Sequence, residues 1–146
     1  MAAVRAGAPV LGANLPRAQM REAMRDESLD DALPPEALAR QRDAVRDGHC
    51  GLMPEAQLGP MARIQVARDR TMARVLAQAH ADAGLAGPGG ARTVVLLAGH
   101  AHVDADLGVP RHLPAGLRWS AVTWPAQPPK QDYCEALRQQ MQAPRR

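Results

Sequence analysis

An unbroken apolar run at residues 93–98 constrains the fold of this chain more than any other feature. It reads Thr-Val-Val-Leu-Leu-Ala and contains no charged side chain. An alternating pattern would indicate a strand with one face in water, whereas a continuous apolar run is typical of strands that are covered on both faces, as in parallel sheets. The run therefore predicts a buried strand with a helix layer on each side of its sheet.

Two weaker runs predict further strands. Residues 9–15 are short and largely apolar, and Pro16 follows them, which suits a strand that leads into a helix. Residues 119–124 read Trp-Ser-Ala-Val-Thr-Trp and predict a third strand.

Helical periodicity and the placement of proline and glycine predict four helices around these strands. Their expected spans are 17–30, 36–46, 54–83 and 132–142. The order of elements predicts an α/β fold, a parallel sheet flanked by helices. Three strands make a thin sheet, and the first lies close to Met1. We therefore expect residues 1–146 to form one partial domain that is truncated at its N-terminus.

Composition excludes several classes of function. The net charge is +3, but the basic residues are scattered and aromatic residues make up only 2% of the chain. Since readers of single-stranded nucleic acid need aromatic platforms, we expect no nucleic-acid partner. No segment reaches the roughly 20 apolar residues of a membrane span. The two cysteines, Cys50 and Cys134, are expected to be free thiols, with a single disulfide as the alternative.

Polar side chains interrupt the apolar face of the longest predicted helix. At about 100° per residue, Gln65 and Arg68 lie in the middle of that face and Asp69 lies at its edge. Burying unpaired polar groups costs roughly a few kcal/mol. Either this turn faces a polar site, or Arg68 and Asp69 form a buried network that anchors the helix to a neighbouring loop. We favour the network.

Two histidines directly follow the 93–98 run. Ligands of open parallel sheets bind beyond the carboxyl ends of the strands, and in an extended segment His100, His102, Asp104 and Asp106 point the same way. These donors suit a metal held by His102, His100 and Asp106. The alternative is surface histidines and aspartates that cap the next turn.

Other sequence signals for catalysis are absent. The chain has no Gly-x-Ser-x-Gly elbow, no P-loop and no complete Gly-x-Gly-x-x-Gly unit. Of the remaining histidines, we expect His80 to be solvated and His112 to be structural.

Two motifs together carry a family resemblance. One is Gln-x-x-Arg-Asp-x-x-Met-Ala from Gln65 to Ala73, and the other is Gly-x-x-His followed by Asp-x-Gly-Val-Pro from Gly99 to Pro110. With residues 9–17 and 48–55, they resemble the ChaN-like family of haem-binding uptake proteins. That family belongs to the Tiki/TraB/erythromycin-esterase-like superfamily, and the resemblance extends over about residues 8–140.

The resemblance implies a parallel α/β domain that binds haem for iron uptake, in bacterial proteins that are often exported or lipid-anchored. Of the superfamily's two Gly-x-x-His-type motifs, Gly99 to His102 matches the second and no segment matches the first, which agrees with a truncated N-terminus. Neither a signal peptide nor a lipidation cysteine lies near Met1. Localisation stays undetermined, and we expect membrane contact only through an anchor outside this chain.

The resemblance also implies a set of haem-site residues, because haem needs an axial donor, an apolar slot and cations for its propionates. The expected donors are His102 or His100, with Tyr133 as the tyrosinate alternative. Met61 and Met72 are expected to form apolar walls of the slot, with core packing as the alternative role for these methionines. The remaining expected members of the site are Arg17, Arg68, Gln65, Asn14 and Met72.

We therefore expect a haem-binding protein of haem or iron uptake, more a binding protein than an enzyme, with a homodimer as a further option. One alternative is a metal-dependent hydrolase of the same superfamily, in which Asp106 would orient His102 as ligand or base. The other is a fragment without activity of its own, whose exposed sheet edge promotes self-association.

Overall fold

A computed structural model of the chain describes residues 2–85, 93–129 and 131–142. Regular structure within these ranges is helical. The α-helices are α1 (Ala2–Arg5), α2 (Arg17–Arg25), α3 (Pro35–Gly48), α4 (Glu55–Leu85) and α5 (Tyr133–Gln142), and 3₁₀ turns span Glu27–Ala32, His100–Val103 and Val109–His112. Among the described helices, none combines the length and the apolar character that crossing a bilayer requires.

The predicted α/β fold with a parallel sheet is wrong, because the described residues contain no β-strand. The three segments expected to be strands run without partners. Leu96 packs against α4, while its neighbours Val95 and Leu97 are 73% and 87% exposed. A strand persists only beside another strand that takes up its backbone hydrogen bonds. A helix lies beside this run instead, so its β-propensity has no sheet to join.

The helix predictions are confirmed, with shifted bounds. The expected helix at 54–83 is α4, and those at 36–46 and 132–142 are α3 and α5. The expected helix at 17–30 is divided, because Asp26 ends α2 and begins a 3₁₀ turn. The Asp26 carboxylate accepts a hydrogen bond from the backbone N–H of Ser28 at 3.1 Å.

Helix α4 is the centre of the fold, and α2, α3 and two of the 3₁₀ turns pack on it. Its buried apolar side chains contribute to three separate clusters along its length. Leu58 and Ala62 meet Val45 of α3, and Ile64 and Val66 meet α2 and the turn that follows it. The apolar face predicted for this helix is therefore the core of the molecule.

An ion pair fixes the 3₁₀ turn at Glu27–Ala32 against α4. Arg63 donates to the Asp30 carboxylate from two nitrogens, at 3.0 and 2.8 Å, and to the backbone carbonyl of Met24 at 3.3 Å. The hydrogen bonding of Arg63 to the Asp30 carboxylate holds the pKa of Asp30 below its usual range. Planar pairing of this kind adds geometric specificity to charge attraction.

A disulfide joins Cys50, in the loop after α3, to Cys134 in the first turn of α5. Of the two alternatives for the cysteines, the structure thus has the disulfide rather than the favoured free thiols. Helix α5 has no buried residue, and residues 118–129, which lead toward it, are all exposed. Because little packing holds α5, the disulfide is what fixes it to the helical body.

We expect a Cys134→Ser substitution to release α5 without unfolding the other helices. Proteinase K should cut residues 118–129 of the variant faster than those of the parent, and dithiothreitol should give the parent the same sensitivity. The urea midpoint of the other helices should change little, because without the disulfide α5 is free in the folded variant as well as in the unfolded chain, so the loop-closure entropy largely cancels. Equal cleavage rates in parent and variant would contradict this role.

Candidate functional site

The polar centre of the structure is a contact between His102 and Asp69. Nδ1 of His102 lies 2.6 Å from Oδ1 of Asp69. The two side chains are only 11% and 3% exposed. An ionised carboxylate only accepts hydrogen bonds, so Nδ1 carries the proton and donates it. In a neutral ring Nε2 is then the nitrogen with a lone pair to offer a ligand.

The 3₁₀ turn at His100–Val103 holds the imidazole over α4. The backbone N–H of His102 donates to the carbonyl of Gly99 at 2.9 Å. Downstream, the Asp104 carboxylate accepts hydrogen bonds from the backbone N–H groups of Asp106 and Leu107, at 2.8 and 2.9 Å. Asp104 therefore caps the turn that follows it. Capping is one of the two alternatives that the sequence predicts for Asp104 and Asp106.

Gly108 lies so close to this turn that a side chain does not fit. A Cβ at this position would lie 2.5 Å from the carbonyl oxygen of His102 and 2.9 Å from that of Asp104. The backbone N–H of Gly108 also donates to the Asp104 carbonyl at 2.9 Å. The glycine of the Asp-x-Gly-Val-Pro motif is therefore required by the packing that presents His102.

A second polar cluster centres on Arg68, the residue before Asp69 on α4, and unites three of the predicted site residues. Arg68 donates from Nε to the side-chain oxygen of Asn14 at 2.9 Å, and from a terminal nitrogen to that of Gln65 at 3.1 Å. Both acceptors are neutral, and no carboxylate among the described residues pairs with Arg68. The positive charge therefore stays available to an anion.

The expected network between Arg68 and Asp69 takes a different form. Asp69 does anchor α4 to a neighbouring loop, but its partner there is His102. Sequence reasoning placed Asp106 beside His102, whereas Asp106 is 68% exposed and pairs with Arg40 at 3.1 Å. Asp69 itself was the signal in the sequence for this contact, because a carboxylate at the edge of an apolar helix face needs a hydrogen-bonding partner from another segment.

Three other predicted site residues make no hydrogen bond to either side chain of the His102–Asp69 contact. His100 is exposed at the start of its turn, and Arg17 is exposed at the first position of α2. Met72 is 4% exposed and packs in the core with Ala73 and Val109. Its side chain is therefore occupied by packing, the alternative role that the sequence left open.

Tyr133 lies at the other end of α4. It adjoins Cys134, whose disulfide holds this end of α5 at the loop between α3 and α4. Asp69 stands fourteen residues beyond Glu55, which is about 21 Å along the helix. The structure therefore separates Tyr133 from His102.

The described part of the chain contains no preformed metal site built from several side chains. No group of three or more His, Cys, Asp or Glu side chains is arranged there to hold a metal ion. His102, His100 and Asp106 are thus not gathered into one set. A single oriented nitrogen donor, Nε2 of His102, is what the arrangement offers to a metal.

His112 is a buried histidine that sequence reasoning treated as structural. Its Nε2 is buried and has no hydrogen-bond partner. Burial lowers the pKa of His112, and the nearby Asp69 carboxylate opposes this effect only in part. The imidazole is therefore held in its neutral form.

We expect Gly108→Ala to displace the His102 turn and to destabilise the protein by about 1–3 kcal/mol, the usual cost of overpacking. Gly99→Ala is the matched control, because a Cβ there meets only Cδ2 of His102, at 3.8 Å. Urea unfolding of both variants provides the measurement. Equal stability of the two would show that Gly108 does not support the turn.

Acidification should destabilise the protein through His112. In the unfolded chain His112 takes up this proton near the ordinary histidine pKa of 6.5, whereas burial lowers its pKa in the folded chain. The unfolded state therefore binds more protons as the pH falls from 7 to 5, and the free energy of unfolding decreases. Asp30 takes up its proton near pH 3.8 in the unfolded chain and at lower pH in the folded chain, so it does not affect the stability between pH 7 and 5. A His112→Leu variant should lose less stability than the parent over this range, and an equal loss would count against the assignment.

Comparison with known proteins relates this site to one family. A family model described as haem-binding uptake, Tiki superfamily, ChaN matches residues 1–113 of the 146-residue chain. The matched region includes α1 to α4, the His102–Asp69 contact and the Arg68 cluster, and α5 lies outside it. No curated protein and no solved structure matches the chain.

Proposed function

The chain belongs to the ChaN family of haem-binding uptake proteins in the Tiki superfamily, and on this premise we propose that it binds haem as the cargo of haem or iron uptake. The contact between His102 and Asp69 carries the proposal. Histidines that ligate a metal almost always donate their other ring N–H to a carboxylate, a carbonyl or water. Asp69 already fills that role for His102.

The donor chemistry of this contact fits haem iron. A haem needs only one or two axial ligands from the protein, so one oriented histidine suffices although the described residues hold no multi-ligand metal site. Asp69 holds the ring and makes Nε2 the more basic nitrogen. His102 is therefore the proposed axial ligand, and His100, two residues earlier, is the proposed second donor.

Apolar surface for the porphyrin lies directly before the histidine turn. Val95 and Leu97 are 73% and 87% exposed, although both precede His102 by only a few residues. Exposed apolar side chains of this size gain free energy when a ligand covers them. We therefore propose that Val95 and Leu97 form the apolar wall of the haem slot, the role that the sequence predicts for Met72.

The propionates would meet Arg68. Its guanidinium already has a fixed orientation, because Asn14 and Gln65 accept two of its N–H groups. Since neither acceptor neutralises the charge, Arg68 can still attract a carboxylate, for which arginine is the preferred partner. Arg17, three residues after Asn14 in the chain, is the proposed second cation.

Haemin titration of the full chain, followed at the Soret band, tests the proposal. The parent should show a shifted band and a saturating endpoint, at one haem per chain or one per pair of chains if a homodimer forms. His102→Ala should remove most of the shift, and added imidazole should restore it by supplying the lost donor. Asp69→Asn should weaken binding by about 10- to 100-fold, the usual effect of losing such a carboxylate.

His80→Ala is the matched control, because His80 is an exposed histidine on the same helix. It should bind haemin like the parent. Binding by His102→Ala as tight as that of the parent would overturn the ligand assignment. An absence of saturating binding in the parent would overturn the haem proposal itself.

A further inference from the structure

The disulfide between Cys50 and Cys134 is the main attachment of α5 to the helical body. Among the described residues, the hydrogen bonds and ion pairs of α5 all lie within residues 132–142. Residues 118–129 are exposed, and no hydrogen bond within the described ranges involves them. The position of α5 therefore depends on one covalent bond rather than on packing.

Helix α5 is too short to persist without this attachment. It has ten residues and none of them is buried. Cys134 and Leu137 are half-buried, whereas the other side chains of the helix are exposed. Isolated helices of fewer than roughly 12–15 residues are marginal in water. Once the disulfide is broken, α5 loses its small contact with the body and melts.

This melting favours the reduced form of the cysteines. In a well-packed structural disulfide the surrounding core keeps the two thiols together after reduction, so the bond re-forms readily and resists glutathione. Here no core holds Cys134 near Cys50. The effective concentration of one thiol at the other then falls to that of groups joined by a loose linker, about the millimolar range. Glutathione at similar concentrations can therefore compete for these sulfurs.

The surroundings of Cys50 also suit a bond that opens. Both cysteines are partly exposed, and the adjacent Gly51 and Tyr133 are exposed. An incoming thiol therefore has to displace only α5 and not the core. Cys50 has a φ of 58°, in the left-handed region that side-chain-bearing residues rarely adopt. Strained backbone positions of this kind are frequent in switch segments.

We propose that the Cys50–Cys134 disulfide is a redox-controlled tether, which glutathione reduces in the folded protein, and that α5 is ordered only while the bond exists. A glutathione thiolate attacks one sulfur and expels the other as a thiolate, which takes up a proton. A second glutathione thiolate then attacks the mixed disulfide and releases the second protein thiolate, which is protonated in turn. Two glutathione molecules thus become one glutathione disulfide, and the protein gains two thiols.

The consequence is a C-terminal helix that responds to the compartment of the protein. The tether stays closed in an oxidising compartment and opens where glutathione keeps thiols reduced. Neither His102 nor Arg68 takes part in it, so the proposal does not depend on haem binding.

Equilibration of the folded full chain in glutathione buffers, without denaturant, tests the proposal. Alkylation of free thiols followed by mass spectrometry gives the reduced fraction, and far-UV circular dichroism gives the helix content. Half of the parent should be reduced where the squared glutathione concentration divided by that of glutathione disulfide is about millimolar. The helical signal should fall in parallel, by the amount that corresponds to the ten residues of α5.

Two variants separate reduction from melting. Cys134→Ser, which cannot form the bond, is the matched control and should show the helix content of the reduced parent in every buffer. Arg138→Pro, at an exposed position in the middle of α5, should break this helix in both redox states. Its disulfide should still be reduced, but without a change in circular dichroism.

Three results would overturn the proposal. The first is a parent disulfide that stays intact in glutathione until denaturant is added. The second is reduction that leaves the helix content of the parent unchanged. The third is reduction that unfolds the helical body together with α5.

Discussion

A carboxylate buried in the middle of the longest described helix needs a partner, and that need joins the segment after α4 to the helical body. Asp69 is 2% exposed on a helix of 31 residues. A charge at that depth is stable only with a hydrogen-bonding partner, and His102 is that partner. The contact bridges 33 positions of the sequence. It therefore holds residues 93–113, which have no sheet to join, against α4.

The same contact links the fold to the proposed function. Burial of Asp69 fixes the orientation of the imidazole, and Gly108 allows the turn that carries it to lie close to the following segment. One nitrogen of the ring serves the fold, and the other remains for a ligand. Arg68, on the neighbouring position of α4, brings a positive charge that no described carboxylate neutralises. The residue that orients the proposed donor and the cation proposed for the porphyrin are thus consecutive on α4, as Asp69 and Arg68.

The sequence predicts the helices and the polar interruption of α4 because both depend on local periodicity and on residues next to each other. It does not predict the sheet correctly, because a strand depends on a partner that periodicity cannot supply. The partner of His102 escaped prediction for a similar reason. Asp106 is near in sequence but points to Arg40, whereas Asp69 is distant and buried. The pairing of Cys50 with Cys134 depends on how the whole chain folds, so spacing alone left it open.

Long-range ¹H–¹⁵N NMR of the histidine rings at pH 8 shows whether Asp69 fixes the tautomer of His102. Protonation of His102 at Nδ1, with an unprotonated Nε2, is the expected result, and Asp69→Asn should weaken this preference. A His102 ring that carries its proton on Nε2 in the parent protein would contradict this role of Asp69, because that nitrogen would then have no lone pair for iron.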